Sequence, residues 1–268
     1  MFKATKKLNN GVSVPQLALG TWLIDDTQAA EIVCSAIRLG YRHIDTAQAY
    51  ENERGVGEGL RLSGIKREQV FVTSKVAAEI KSYEKAAASI DESLRISGLD
   101  YMDLMIIHCP QPWSEYNKSA YRYEKENREV WSALEEAYAA GKVRAIGVSN
   151  FNEHDLENLW ATAHVKPMVN QVHCHIGNTP LRLIDFCEQR EMLMEAYSPV
   201  AHGEALKNER LARMAEKYGV SIAQLCIRYC LQLGMIALPK TTNPEHLRQN
   251  ADVNFEISDD DMMCLKQM

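Results

Sequence analysis

The sequence predicts an α/β protein whose strands close into a (β/α)8 barrel, a TIM barrel, preceded by an N-terminal β-hairpin. Eight short apolar runs, each followed by a helical segment with one apolar face, alternate from one end of the chain to the other. Strands that alternate with helices pair in parallel, and parallel strands covered on both faces are apolar throughout. The length of 268 residues is close to that of an α/β barrel, about 250 residues. No linker or low-complexity stretch interrupts the alternation, so residues 1–268 read as one domain. An open doubly wound sheet is the alternative that periodicity alone leaves open.

Taken in order, Leu8-Asn9-Asn10-Gly11-Val12 reads as a hairpin, because Asn-Gly is the favoured two-residue turn with positive φ. The first barrel strand is Gln16–Gly20. The helix after it takes Asp25 as cap with Gln28 three residues on, buries Ile32, Val33, Ala36 and Ile37, and ends at Gly40. Strand Tyr41–Asp45, helix Glu51–Leu62, strand Val70–Ser74 and a helix capped by Ser82 and closed by Gly98 follow. Strand Asp103–Ile107 leads through a longer loop to helix Glu124–Ala140, stopped by Gly141. Then come strand Val143–Val148, helix Asn152–Ala161, strand Met168–Val172, helix Pro180–Arg190 and strand Met192–Ala196. Two helices follow, near Glu204–Lys217 and at Ser221–Gln232, the second with Gln224 completing a capping box. The last strand, Met235–Leu238, precedes a helix from Pro244 and a terminal one from about Ser258.

Composition excludes several classes. Hydrophobic residues make up 46% and charged residues 25%, values of a globular protein and not of a disordered one. The net charge of −6, with no lysine–arginine block, offers no electrostatic foothold to nucleic acid or an anionic membrane. No apolar run approaches the ~18–20 residues of a membrane span, and the opening MFKATKKLNN has no apolar stretch of a signal peptide. Seven scattered cysteines fit reduced thiols better than a disulfide framework, so a cytoplasmic location is expected.

In a barrel the chemistry sits at the C-terminal ends of the strands. Those positions hold Gly20-Thr21-Trp22, Asp45 with Tyr50 five residues on, Lys75, His108-Cys109-Pro110, Ser149-Asn150, Asn170-Gln171, Tyr197-Ser198-Pro199 and Lys240-Thr241. Asp45, Lys75 and His108 fall at the same end of three consecutive strands, with Tyr50 close by. A phenol with a pKa of about 10 is a poor acid at neutral pH. A neighbouring ammonium would lower that pKa, a carboxylate would hold the ammonium in place, and an imidazole could orient a carbonyl oxygen. Such a group would protonate an oxygen as a hydride reaches its carbon. Each residue alone has an ordinary structural explanation: an ion pair, a rim aromatic, a core histidine. Together at neighbouring strand ends they read as a site.

The motifs Gly20-Thr21-Trp22, Asp45-Thr46-Ala47-x-x-Tyr50, Val72-Thr73-Ser74-Lys75, Ile107-His108, Ile146 to Phe151, Asn170-Gln171, Ala196-Tyr197-Ser198-Pro199 and Pro239-Lys240-Thr241 resemble the aldo-keto reductase signatures, in order and spacing over nearly the whole chain. They are closest to the compact bacterial members similar to 2,5-diketo-D-gluconate reductases. The resemblance implies a reductase using NADP(H), with NAD(H) as an alternative, on a small-molecule carbonyl substrate. It makes Tyr50 the general acid, Lys75 and Asp45 its tuning pair and His108 the carbonyl-orienting group. It assigns Ser149, Asn150 and Gln171 to the nicotinamide carboxamide, Tyr197 to its ring, and Ser198 to the pyrophosphate. Thr21, Trp22 and Asp45 also fall on the cofactor's path. Lys240 and Thr241 would hold the 2′-phosphate, with Gln249 and Asn250 near the adenine, and Trp22 and Trp113 would wall the substrate pocket.

The departures carry their own expectations. Where the family has Arg six residues after Lys240, this chain has His246, with Arg248 two further on. An imidazole cannot form the guanidinium's bidentate fork on phosphate, so a weaker preference for NADPH is expected. The tryptophan that follows the family's catalytic His is Cys109 here, and the family's Glu-x-His-Pro is His173-Cys174-His175-Ile176. The chain stops soon after its terminal helix, which implies an open, permissive site with Tyr116 as a further wall. His173, His175 and Cys109 give only a weak metal signal, and Gly55-x-Gly57-x-Gly59 follows no strand and is no dinucleotide fingerprint. Glu124 and Arg128 are expected to pair across one helical turn. A monomer is expected. Two other classes remain open at this point: a Schiff-base aldolase on Lys75, which Asp45 argues against, and a cofactor-sensing regulatory subunit.

Overall fold

The computed structural model describes residues 4–268. Residues 1–3, included above in the domain and in the segment read for a signal peptide, lie outside the described residues. A hairpin of β1 (Thr5–Lys7) and β2 (Ser13–Pro15) precedes eight strands. These are β3 (Leu19–Gly20), β4 (His43–Asp45), β5 (Phe71–Val76), β6 (Leu104–Ile107), β7 (Ile146–Ser149), β8 (Val169–His173), β9 (Leu193–Tyr197) and β10 (Ile236–Leu238). All eight pair in parallel in chain order. The ring closes where Ala18 N donates to Ala237 O at 3.0 Å and Gly20 N donates to Pro239 O at 2.9 Å. That closure rules out the open-sheet alternative. Both faces of the strands are covered, and β4, β5, β6, β7 and β10 are buried along their whole length, polar residues such as Asp45 and Lys75 included.

Ten helices surround the barrel among the described residues: α1 (Asp26–Leu39), α2 (Glu53–Ser63), α3 (Tyr83–Ser97), α4 (Glu124–Ala139), α5 (Glu153–Trp160), α6 (Leu181–Glu188), α7 (Glu209–Lys217), α8 (Ile222–Gln232), α9 (Pro244–Ala251) and α10 (Asp259–Lys266). Local chemistry sets their ends. Asp25 caps α1 by accepting from Thr27 N at 2.9 Å, and Gly40 ends it with φ +114, a value side chains resist. Full capping boxes open α5 (Asn152 with Asp155) and α8 (Ser221 with Gln224).

Several details differ from the sequence reading. The Asn-Gly hairpin has a three-residue loop: Gly11 N donates to Leu8 O at 2.8 Å, and Gly11 alone of that loop has positive φ. The cause is Asn10, whose Oδ1 accepts from Val12 N at 3.1 Å while its Nδ2 donates to Arg144 O at 3.0 Å on the barrel. Gln28 forms no box with Asp25, and the Ser82 side chain caps nothing. The helix expected over Glu204–Lys217 is a 3-10 segment, Ala201–Lys207, followed by α7. It breaks because Asn208 Oδ1 caps α7, accepting from Arg210 N at 2.9 Å and Leu211 N at 3.3 Å. Glu124 and Arg128 do not pair: Glu124 accepts from His154 Nε2 at 2.8 Å and Asn158 Nδ2 at 3.0 Å, and the i,i+4 pair is Lys125 with Glu129.

The barrel's two ends differ. At the strand N-termini the hairpin buries Leu8 and Val14, and the buried Asp103 accepts from Arg67 Nη2 at 2.6 Å, Arg144 Nη1 at 2.7 Å and Val72 N at 2.9 Å. At the opposite end the loops carry backbone strain. Of nine non-glycine residues with positive φ among the described residues, Leu23, Glu51, Asn117, Tyr123, Asn150, Ser198, Ala201 and His202 lie in the segments after barrel strands.

The glycine series in α2 is a packing device. A Cβ on Gly55 would lie 2.3 Å from Asp26 O, one on Gly59 2.6 Å from Ala30 O, and one on Gly57 1.8 Å from Ser97 O. Backbone therefore meets backbone where α2 crosses α1 and the end of α3. Gly57→Ala should destabilise the fold by about 1–3 kcal/mol through overpacking, read as a lower denaturation midpoint; an unchanged midpoint would refute the close approach.

Candidate active site

The residues singled out at the strand ends converge around one buried cation. Lys75, on β5, is fully buried and its Nζ donates to Asp45 Oδ2 at 2.7 Å, to Thr46 O at 2.7 Å and to Tyr50 Oη at 3.3 Å. Asp45 ends β4, one strand over, and Tyr50 closes the short 3-10 turn Gln48–Tyr50 that follows it. That turn is pinned by Gln48, whose Nε2 donates to Ser89 O and Ser93 Oγ, each at 3.0 Å, and whose Oε1 accepts from Ala77 N at 2.9 Å. Asn52 fixes its far side: its Nδ2 donates to Thr21 O and Ile24 O, each at 2.9 Å, and its Oδ1 accepts from Thr46 Oγ1 at 2.6 Å.

The electrostatics differ in one respect from expectation. Burial works to lower the Lys75 pKa, but Asp45 and Tyr50 outweigh it and the ammonium is held above its ordinary value. Burial raises the Tyr50 pKa, Lys75 lowers it, Asp45 adds to the rise, and the net position is above the ordinary phenol. The expectation that Lys75 sets a net lowering is thus corrected: in the protein alone, desolvation wins and Tyr50 is a protonated donor. Lys75 occupies the phenol oxygen as donor, which leaves the phenolic hydrogen for another acceptor.

His108, just beyond β6, lies edge-on to the Tyr50 ring, with centroids 5.5 Å apart. Burial, then the Lys75 charge, pushes its pKa well down, so the ring is neutral, and its Nδ1 has no hydrogen-bond partner. Trp113 stands edge-on to His108 at 5.2 Å and Tyr116 to Trp113 at 5.7 Å, so both expected walls are present on that side. Cys109 is fully buried and turned into the shell, so Trp113, four residues on, supplies the ring beside His108. Trp22 is 43% exposed and packs edge-on to His202 at 5.2 Å.

The residues expected at the cofactor divide into two groups. Around the barrel mouth, Asn150 N donates to Gln171 O at 2.9 Å, Asn150 Nδ2 to Ser149 Oγ at 2.9 Å and to His108 O at 3.1 Å, and Tyr197 Oη to Asn150 Oδ1 at 2.9 Å. Ser198 follows Tyr197 with φ +52. Thr21 Oγ1 donates to Asp45 O at 3.0 Å from the first loop. The second group is outside this ring: Lys240 and Thr241 follow β10, and His246, Gln249 and Asn250 lie on α9, which packs against α1 and α8. Lys240 and His246 are exposed and have no ion-pair partner among the described residues, whereas Arg248 is engaged by Glu245 through both carboxylate oxygens.

This arrangement fits a nicotinamide dinucleotide. Gln171 spends its Nε2 on Asp45 Oδ1 and Glu195 Oε2, each at 2.8 Å, while no donor among the described residues reaches its carbonyl oxygen, and a free lysine stands past the last strand. Sequence reasoning missed Glu195, Asn52 and His202. Glu195 was legible as the one charged residue in an otherwise apolar strand; nothing in the pattern marked the other two. His173 and His175 lie with ring centroids 4.8 Å apart, and His173 stacks on Tyr197 at 5.2 Å. Among the described residues no group of three His, Cys, Asp or Glu is arranged to hold a metal ion.

With this geometry in hand, comparison with known proteins places the chain. The model of the Aldo/keto reductase family matches residues 16–268, and the chain belongs to that family. It is 44% identical to the glyoxal reductase of Bacillus subtilis over 97% of this chain and 91% of that one. An aldo/keto reductase structure from Brucella melitensis superposes with a TM-score of 0.91 at 35% identity, covering 98% of each chain. A Bombyx mori aldo-keto reductase in complex with NADP superposes at 0.88 and 30% identity, over 98% of this chain and 92% of that one.

Replacing Lys75 by Met should strand the Asp45 carboxylate and cost about 3–5 kcal/mol of stability, measured by chemical denaturation. Adding Asp45→Asn should return more than half of that loss; a double variant no more stable than Lys75→Met would refute the ion pair as its cause.

Proposed function

We propose that the protein is an NADP(H)-dependent reductase that converts aldehydes or ketones to alcohols, with Tyr50 as proton donor. The observation that carries the reading is the buried Lys75 ammonium bonded at once to Asp45, Thr46 and the Tyr50 hydroxyl, beside the neutral His108 ring. The dinucleotide, when bound, supplies the hydride. Ser149, Asn150 and Gln171 would hold its carboxamide, Tyr197 its ring and Ser198 its pyrophosphate; Lys240 and Thr241 would take the 2′-phosphate, with Gln249 and Asn250 at the adenine.

His108, neutral and donating from Nε2, orients the substrate carbonyl between its ring and Tyr50. As the carbonyl carbon gains the hydride, the Tyr50 hydroxyl gives its proton to the oxygen and becomes phenolate. The charge that appears on Tyr50 faces the Lys75 ammonium across 3.3 Å, an attraction available only once the proton has left. Burial keeps Tyr50 protonated before the reaction, and Lys75 limits the cost of ionising it during the reaction. Solvent then restores the proton.

Small dicarbonyls, aromatic aldehydes and keto-sugar acids are the proposed substrates, supported by the likeness to a glyoxal reductase and by exposed Trp22 and Trp113 at the mouth. The reading includes a monomeric, cytoplasmic protein working as one barrel unit without nucleic acid or membrane partners; no described helix is long and apolar enough to cross a membrane. An aldolase through Lys75 fits poorly, because an ammonium held above its ordinary pKa is not a free nucleophile.

Oxidation of NADPH followed by absorbance, with methylglyoxal, an aromatic aldehyde and a diketo-acid as substrates, tests the reading. Tyr50→Phe should lose on the order of a hundredfold or more in kcat while binding cofactor; near-normal turnover would remove Tyr50 from its role. Cofactor choice gives a second test. With His246 where a guanidinium would fork the phosphate, the wild-type Kd ratio of NADH to NADPH should stay below about a thousandfold, and His246→Arg should raise it by roughly tenfold, about 1.4 kcal/mol. An unchanged ratio in His246→Arg would detach that position from the phosphate.

A further inference from the structure

Glu195 stands inside the barrel on β9, fully buried, with no assigned part in the reaction described above. Its Oε2 accepts from Gln171 Nε2 at 2.8 Å, and the same nitrogen donates to Asp45 Oδ1 at 2.8 Å. Both N–H groups of one side-chain amide are therefore spent between two carboxyl groups. An amide tethered by a single bond can swing about it; one stretched between two acceptors has its plane fixed, and its oxygen has one direction left. That oxygen is the one no described donor reaches.

Packing alone does not account for a carboxyl here. Glu195 Oε1 has no hydrogen-bond partner, and an apolar side chain in its place would avoid the desolvation. Burial, reinforced by Asp45, pushes the Glu195 carboxyl up to about 7. With a proton on Oε1, Oε2 stays an acceptor, so the grip on Gln171 survives in either protonation state.

We propose that Glu195 is a positioning residue that locks the Gln171 amide so that its carbonyl oxygen is the acceptor for the amino group of the nicotinamide carboxamide. The inference rests on the reading that Gln171 holds that carboxamide. It makes the site sensitive to a single replacement in the cofactor, because an acetyl group in place of the carboxamide keeps the carbonyl but lacks the N–H donor. The lock also joins the carboxamide to the acid: Gln171 bonds to one oxygen of Asp45, and Lys75 to the other.

The test is equilibrium binding of NADP+ and of its 3-acetylpyridine analogue, by quenching of protein fluorescence, to wild type, Glu195→Leu and Glu195→Gln. Wild type should prefer NADP+ by roughly tenfold, the worth of one buried hydrogen bond with its acceptor otherwise left empty. Glu195→Leu should bind both with a preference reduced to less than about threefold, because one of the two anchors is gone. Glu195→Gln, which still offers an acceptor to Gln171, should keep most of the preference. A merely structural Glu195 would weaken both cofactors equally and leave their ratio unmoved, and that result overturns the proposal. So does a wild type that binds both alike. Where Glu195→Leu fails to fold, Glu195→Thr and Glu195→Val decide, being smaller and too short to reach Gln171: loss of the preference supports the lock, and an unmoved ratio overturns it. A wild type that binds neither cofactor refutes the underlying reading of the site, and the lock with it.

Discussion

The structure turns on keeping an ammonium ion where water cannot reach it. Removing a lysine charge from solvent costs several kcal/mol after relaxation, and Lys75 is buried completely. The cost is tolerable only if every direction of the ammonium meets an oxygen, and each of the three oxygens that meet it has its own requirements. Asp45 must present one carboxylate oxygen inward while Gln171 holds the other. Thr46 must turn its carbonyl toward the barrel axis, with its hydroxyl tied off on Asn52. Tyr50 must reach back from a 3-10 turn that Gln48 and Asn52 hold from two sides. Much of the polar interior at this end of the barrel follows from that one cation.

The two ends of the barrel spend their polar groups differently. At the strand N-termini, Asp103 takes two arginines and a backbone amide, and the hairpin lays apolar side chains over the opening. Those contacts leave nothing to react. At the C-termini, His108 Nδ1 and the side-chain oxygen of Gln171 have no hydrogen-bond partner among the described residues, and eight described non-glycine residues sit at strained positive φ. Unspent hydrogen-bonding capacity and strain on the same face are what a binding site requires and what a stable shell avoids.

Much of this was legible in the sequence because a barrel maps strand ends to one place. Once eight apolar runs are recognised, Asp45, Lys75 and His108 must come together, and no distance needs to be known. Capping chemistry is equally local, so Asp25 and Ser221 could be read directly, although the Ser82 cap read the same way makes no bond. What escaped depends on partners far apart in the chain. Asn52 bonds to Thr21 and Ile24 in the loop before α1, Glu195 is linked to Asp45 only through Gln171 inside the barrel, and the balance between burial and Lys75 at Tyr50 depends on how much water is excluded. The break before α7 and the three-residue hairpin loop were missed for a smaller reason: in each an asparagine side chain captured a backbone or barrel group that pattern alone does not weigh.

The seam behind Tyr50 has a mechanical consequence. Gly55 and Gly59 bring the backbone of α2 against the backbone of α1 and its Ala29 and Val33 side chains, and Gly57 brings it against the backbone at the end of α3, with no Cβ on the α2 side. Most helix contacts are cushioned by side chains that can exchange rotamers and so absorb a shove. Here little can rearrange, because the α2 side offers no side chain and the α1 side offers mainly short ones, and the joint behaves as a hard stop. The Tyr50 phenol, two residues before the cap of α2, is thus referenced to the shell through this close seam as well as through the Gln48 and Asn52 side chains. Repacking elsewhere on α1 has little leverage with which to tilt it.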